Sequence, residues 1–380
     1  MKRRVLAVTS SRSDYGLLRH TLRAIQIHNQ LELQLLVTGS HLSERFGLTV
    51  REIEADGAIV DFTVDLELDQ RGDSSLDIAR IFASATVGVA EVIQKSRPDI
   101  LLVLGDRYEI LAACTAALLA STPVAHIHGG ELTVGAFDDS IRHAITKIAS
   151  LHFPVHPAYA ARIRQLGEHP NSVILIDPPV TEVLMQLAPK SRSELERRLG
   201  IRLTDPIVVV SYHPVTQAQD VSILDLEATL RALESLSNVT YVVTGTNADP
   251  MNQLHDKLLR DFVARSPESR AFAKSLGHDT YLSLLKIAAM VVGNSSSGVI
   301  EAPLIGTPSL NIGMRQLGRV HPTTVTSVVG DEREISRAIK MILDNPSKRE
   351  PAIGKQPASQ LISQTLATCE LGRPKVFNDV

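Results

Sequence analysis

Short apolar runs recur along the chain, each ending in small or polar residues and followed by a longer stretch with apolar positions three and four apart. The runs at 4–9, 33–37, 58–64 and 100–104, and one begun by Pro123-Val124-Ala125, are largely apolar at consecutive positions, which suits strands buried on both faces of a parallel sheet. The intervening stretches carry the helical period. Leu17, Leu18, Leu22 and Ile25 share a face with Asp14 as the expected cap, and helices are predicted over 75–95, 108–119 and 140–149. The alternation continues with strands predicted at 173–176, 207–210, 240–243 and 290–292, and helices from about Pro157, over 332–343 and over 356–369. This order predicts an α/β protein with doubly wound parallel sheets. The prolines of Asp177-Pro178-Pro179 interrupt backbone hydrogen bonding, so the domain boundary is expected there, giving domains of 1–177 and 178–355.

Doubly wound sheets bind ligands beyond the carboxyl ends of their strands. Ser10 to Arg12, His41, Asp106-Arg107 and His128 to Glu131 are all expected at that edge. The densest group runs from His126-Ile127-His128-Gly129-Gly130-Glu131 to Asp138-Asp139-Ser140-Ile141-Arg142-His143. Packing does not require such a cluster at a strand end, whereas proton transfer does. Asp138 and Asp139 also suit the N-cap and first turn of the following helix. His126 and His128 would share one strand face, but neither HExxH nor an Asp-rich loop accompanies them, so no metal site is expected.

Composition removes several classes. At 380 residues the chain is expected to form two domains, and a net charge of −3 lacks the basic excess of a nucleic-acid binder. The two cysteines, Cys114 and Cys369, stand outside any CxxC pattern and suit a reducing cytoplasm. The apolar run at 5–8 is too short for a signal-peptide core, and the run at about 110–120 is too short to span a membrane, so a soluble cytoplasmic protein is expected.

Gly293-Asn294-Ser295-Ser296-Ser297-Gly298 follows a predicted strand and precedes a segment containing Glu301. Small residues there let backbone N–H groups approach a phosphate, although an ordinary capped turn has the same composition. No Gly-Lys-Ser/Thr and no GxGxxG after the first strand is present, which argues against an ATPase or a nicotinamide enzyme. Arg12, Arg107 and Arg315 each follow strand-like segments, and three arginines at one sheet edge suit an anionic ligand such as a diphosphate. His213, before Pro214, either donates to the same group or is structural.

These motifs, with Thr38-Gly39-Ser40-His41, Ser11-Arg12-Ser13-Asp14-Tyr15-Gly16, His213-Pro214-Val215-Thr216 and Gly313-Met314-Arg315-Gln316, occur in one order along the chain. Over nearly its whole length the chain resembles the hydrolysing UDP-N-acetylglucosamine 2-epimerases of sialic-acid and related nonulosonic-acid biosynthesis. The resemblance implies a glycosyltransferase-B arrangement, two Rossmann-like domains with the nucleotide sugar in the cleft between them. It also implies a C-terminal segment, 356–380, joined to the first domain, and a homodimer or homotetramer. Contacts to UDP or substrate are implied for Arg12, Ser13, His41, Arg107, Arg142, His213, Asn247, Leu276, Ser295, Ser296, Glu301 and Arg315. Acid–base groups are implied at Asp106, Glu131 and Asp138, with Asp139 beside them. Close relatives carry Glu-Gly-Gly-Glu where this chain has His128-Gly129-Gly130-Glu131, so the first glutamate's role passes to His128 or a neighbour.

The implied reaction eliminates UDP to give a 2-acetamidoglucal, which water converts to free N-acetylmannosamine. It needs neither metal nor another cofactor. The change at His128 keeps a second substrate in view, UDP- or GDP-linked N,N'-diacetylbacillosamine, used in legionaminic-acid biosynthesis. A glycosyltransferase, a non-hydrolysing epimerase or a non-catalytic sensor of the same architecture would use the same nucleotide site.

Overall fold

A computed structural model describes residues 2–134, 136–215, 219–246, 252–345, 356–371 and 375–379. The chain forms two compact units: Met1–Glu131, Asp138–Met185 and Gly354–Val380 in the first, Leu132–Phe137 and Gln186–Ile353 in the second.

The first unit runs β1 (Arg3–Thr9), α1 (Arg12–Ile27), β2 (Leu31–Thr38), α2 (Val50–Ala55), β3 (Phe62–Val64), α3 (Ser75–Ser96), β4 (Ile100–Leu104), α4 (Tyr108–Leu119), β5 (Val124–Ile127), α5 (Phe137–Ile148), β6 (Leu151–Phe153), α6 (Pro157–Gln165) and α7 (Pro179–Gln186). Its strands form one parallel sheet in the order β3-β2-β1-β4-β5-β6. Reversal of strand order on either side of β1 makes the β1–β4 neighbourhood the natural ligand edge. Val5, Leu6, Ala7 and Val8, like Ile100 to Leu104, are buried at consecutive positions because helices cover both faces.

The second unit contains α8 (Arg192–Leu199), β7 (Ile207–Ser211), α9 (Gln219–Glu234), β8 (Thr240–Thr244), α10 (Asn252–Ala264), β9 (Arg270–Ala273), α11 (His278–Ile287), β10 (Met290–Gly293), α12 (Ser296–Val299), α13 (Glu301–Ile305), β11 (Ser309–Ile312), β12 (Val325–Val328) and α14 (Glu332–Asp344). Its parallel sheet has the equivalent order β12-β11-β10-β7-β8-β9. On α14, Ile335, Ala338, Ile339 and Ile342 recur at helical spacing and are buried against the sheet's apolar cluster, while Asp331 caps its first turn. The last helix, α15 (Ala358–Thr368), belongs to the first unit, where Ala358, Ile362 and Leu366 join the core around β1 and α1. Among the described residues, no helix is long and apolar enough to cross a membrane.

Three local expectations change. Ser11, not Asp14, caps α1: its hydroxyl accepts from the Asp14 N–H, while the Asp14 carboxylate accepts from Ser10. The run at 58–64 pairs as a strand only from Phe62, because the Leu35 N–H is taken by the Asp61 carboxylate. Residues 173–176 lie against β6 without forming a strand. Ile174 and Ile176 donate to His152 and Pro154, and Pro154 has no N–H to return a bond.

Candidate active site

At the carboxyl end of β4 the chain turns through Gly105, whose φ of +84° is the left-handed conformation that glycine adopts most easily. Asp106 follows, half-buried. β5 ends beside it and passes into His128-Gly129-Gly130-Glu131. His128 itself has a φ of +67°. Gly130 must be glycine, since its φ is +80° and an added Cβ would lie 2.4 Å from the Tyr159 carbonyl oxygen. The turn brings the imidazole back onto its own loop: His128 Nδ1 donates to Glu131 Oε1 at 2.6 Å, with both residues buried. Its Nε2 is buried and has no partner among the described residues.

α5 places Arg142 beneath these loops. Its guanidinium donates to Asp106 Oδ2, to Asp139 Oδ1 at 3.3 Å and to the Glu131 carbonyl oxygen at 3.0 Å. Burial works against the charge of Arg142, but Asp106 and Glu131 outweigh it and hold its pKa above the ordinary value. Asp138 and Asp139 occupy the first turn of α5, where the helix dipole favours carboxylates; neither is the cap, because the helix begins at Phe137. His143 Nε2 lies 3.5 Å from Asp139 Oδ2, and burial lowers its pKa against the pull of that carboxylate. One arginine therefore ties together the β4 end, the β5 loop and the first turn of α5.

His41 lies at the β2 end, with Nε2 3.0 Å from Thr9 Oγ1 and Nδ1 2.8 Å from Thr49 Oγ1. It is fully buried, and burial lowers its pKa to about 3, so the ring is neutral. Arg12 is half-buried in the first turn of α1, and exposed Ser13 shares a 2.9 Å hydroxyl contact with Ser11. Arg107 is buried against Glu109, 3.2 Å from its carboxylate. Burial raises the Asp14 pKa, while the positive charge of Arg107 opposes the rise.

The second unit has its own cluster. Asn294 clamps the residue after Tyr212: its Oδ1 accepts from the His213 N–H at 2.7 Å and its Nδ2 donates to the His213 carbonyl at 2.8 Å. The Asn294 carbonyl accepts from Arg315 Nη1 at 3.2 Å and from Gln316 Nε2 at 2.8 Å. Gly293 permits this joint, for a Cβ there would meet the Ser211 carbonyl oxygen at 2.0 Å. Ser295 caps α12 and Ser296 is its half-buried first residue. His278 Nε2 lies 3.9 Å from Glu301 Oε1, and Leu276 is buried just before α11.

A model of the UDP-N-acetylglucosamine 2-epimerase family matches residues 23–367. The chain belongs to the UDP-N-acetylglucosamine 2-epimerase family. It is 35% identical to the hydrolysing GDP/UDP-N,N'-diacetylbacillosamine 2-epimerase of Campylobacter jejuni over 85% of this chain and 84% of that one. It is 30% identical to the hydrolysing UDP-N,N'-diacetylbacillosamine 2-epimerase of Legionella pneumophila over 98% and 97% of the two chains. The fold is that of the UDP-GlcNAc 2-epimerase of Neisseria meningitidis crystallised with UDP-GlcNAc, at a TM-score of 0.78 and 17% identity over 96% of this chain and 99% of that one.

As a member of an enzyme family, the epimerase fold brings together Asp106, Glu131, Asp139, Arg142 and His128 from separate elements. It separates others. Arg315 lies in the second unit with His213, Ser295, Ser296, Glu301 and Leu276, whereas Arg12 and Arg107 belong to the first. The expectation of three arginines at one sheet edge is thus corrected: there are two sheets. Asn247 lies outside the described residues. Asn294 and Gln316 were not singled out as site residues, although both stand in the quoted motifs. Their signal was an amide beside a glycine turn, where one side chain can satisfy a donor and an acceptor together. Among the described residues no group of three His, Cys, Asp or Glu residues is set to hold a metal ion.

Proposed function

We propose that this protein is a hydrolysing nucleotide-sugar 2-epimerase that releases a free 2-epimerised 2-acetamido sugar and a nucleoside diphosphate. The carrying observation is the Arg142 junction, which holds Asp106 and Asp139 beside the buried His128–Glu131 pair at the strand ends. A base takes the C2 proton, the C–H electrons form the C1–C2 double bond, and the C1–O electrons leave with the diphosphate. Water then adds its oxygen to C1, and a proton reaches the opposite face of C2. Asp106, His128, Glu131, Asp138 and Asp139 are the acid–base candidates. An acid and a base of separate environments are what this two-sided chemistry requires. The departing diphosphate needs positive charge and N–H or O–H donors, for which Arg315, His213, Ser295 and Ser296 of the second unit are the candidates.

For the substrate we favour UDP-linked N,N'-diacetylbacillosamine, because the Campylobacter relative at 35% identity and the Legionella relative at 30% bear that sugar in their names. UDP-N-acetylglucosamine is the second reading, supported by the 30% identity to a Neisseria meningitidis relative named UDP-N-acetylglucosamine 2-epimerase. Each nucleotide sugar is incubated with the protein in D2O and the products followed by NMR. Free sugar of inverted C2 configuration carrying deuterium at C2, with free UDP, is the expected result. Release of UDP without C2 exchange, or turnover only with an added acceptor, would overturn it.

A further inference from the structure

We propose that His126 is a positioning residue for this site: by donating from Nε2 to the Gly105 carbonyl oxygen and packing against Gly129, its imidazole fixes Asp106 relative to the 128–131 turn. The proposal rests on the epimerase reading above. The Nε2 to oxygen distance is 2.8 Å, and a carbonyl only accepts, so Nε2 carries the proton. The ring is wholly buried, and burial lowers its pKa to about 3, which keeps it neutral at working pH. Gly105 is held at both ends, because its N–H donates to the Ile127 carbonyl at 3.1 Å while its own carbonyl takes the imidazole. The β4–β5 ladder is thereby extended, through a side chain, to the residue before Asp106.

The other ring nitrogen faces the neighbouring loop. A Cβ on Gly129 would stand 3.1 Å from His126 Nδ1, so glycine at 129 lets the turn seat on the ring. Nδ1 is buried without a partner among the described residues, a cost that a core leucine would avoid. A single side chain therefore sets two catalytic loops without reaching the substrate itself. His152, its Cα partner on β6, is turned away to Glu168 at 3.1 Å.

The test compares His126→Leu, which keeps bulk and removes the donor, with His126→Gln, whose amide reaches the same carbonyl. Misplacing Asp106 by a fraction of its own size should lower kcat about 100-fold in H126L, with KM and UDP affinity within about threefold of wild type. H126Q should recover to within about tenfold of wild-type kcat, a rescue that simple core filling would not give. H126L with near wild-type kcat, or H126Q no faster than H126L, overturns the proposal. If H126L fails to fold, imidazole NMR of the wild type decides. A Nε2–H ring that does not titrate between about pH 5 and 9 supports the assignment, and a titrating or Nδ1–H ring overturns it. Failure of the epimerase reading is separately visible, as a wild type that releases no nucleoside diphosphate, and the ring's tautomer still tests the geometry.

Discussion

Arg142 and Asp106 form an ion pair in which the arginine side chain is 1% exposed and the carboxylate 23% exposed. The buried cation is held by more than that pair, since Asp139 and the Glu131 carbonyl also accept from it. The carboxylates keep a wet side and the guanidinium has none, so the acids stay available for proton transfer while their mutual repulsion is neutralised from beneath.

Arg142→Met should therefore damage both folding and chemistry. Removing the cation leaves neighbouring carboxylates uncompensated, and a loss of about 2 kcal/mol is expected, below the range for a fully buried pair because Asp106 and Asp139 are partly solvated. Denaturant unfolding checks it. Arg142→Lys should retain part of the stability but little turnover, because one ammonium cannot reproduce the fork that reaches Asp106, Asp139 and Glu131 at once.

Asp106→Asn and Glu131→Gln keep size and remove charge. Each should lower kcat at least about 100-fold, while UDP affinity measured by calorimetry stays within about threefold. Near-normal turnover in both would remove these carboxylates from the chemistry.

In the second unit, Arg315→Ala should weaken UDP binding roughly 10- to 100-fold with a smaller effect on stability, the loss expected for one charge-assisted phosphate contact. Asn294→Ala removes both bonds that fix the His213 backbone and should cost about 2 kcal/mol of stability. UDP affinity should fall with it. An Asn294 variant of unchanged affinity would separate His213 from the nucleotide site.

Acid should destabilise the protein before its carboxylates are neutralised. His41 and His126 have folded pKa values lowered by burial from 6.5 to about 3. Between those values the unfolded chain binds a proton that the folded chain does not, so stability falls as pH drops, by on the order of 1 kcal/mol per pH unit for each ring. His41→Gln should show a shallower slope from about pH 6 to 4 in denaturant titrations. Glu168 adds a lower window. Burial alone would raise its pKa, but hydrogen bonds from His152, Lys147 and Lys375 bring it from 4.5 to about 2. Its contribution is complete above its unfolded value and disappears as pH falls through the folded one. The stability difference between wild type and Glu168→Gln should shrink over that interval.

Much of the framework was legible in the chain. Residues 100–104 and 108–119 were expected as strand and helix with the bounds observed for β4 and α4. A doubly buried strand is apolar at every position, and an apolar helix stopped by Thr122-Pro123 has few alternatives. The strands β9, β11 and β12 were not singled out. They are short, Arg270 opens β9, and Asn311 in β11 and Thr326 and Ser327 in β12 interrupt the apolar pattern.

The sequence by itself determined the alternating α/β pattern, the polar residues at strand ends and the family motifs, because periodicity and turn chemistry are local. Only the tertiary structure decided who pairs with whom. It put Arg142 under Asp106, turned His128 onto Glu131, committed Arg107 to Glu109, and gave Arg315 to a second sheet. Those choices depend on strand order and on which helix face is buried, where a desolvated charge must find a counter-charge from a distant part of the chain.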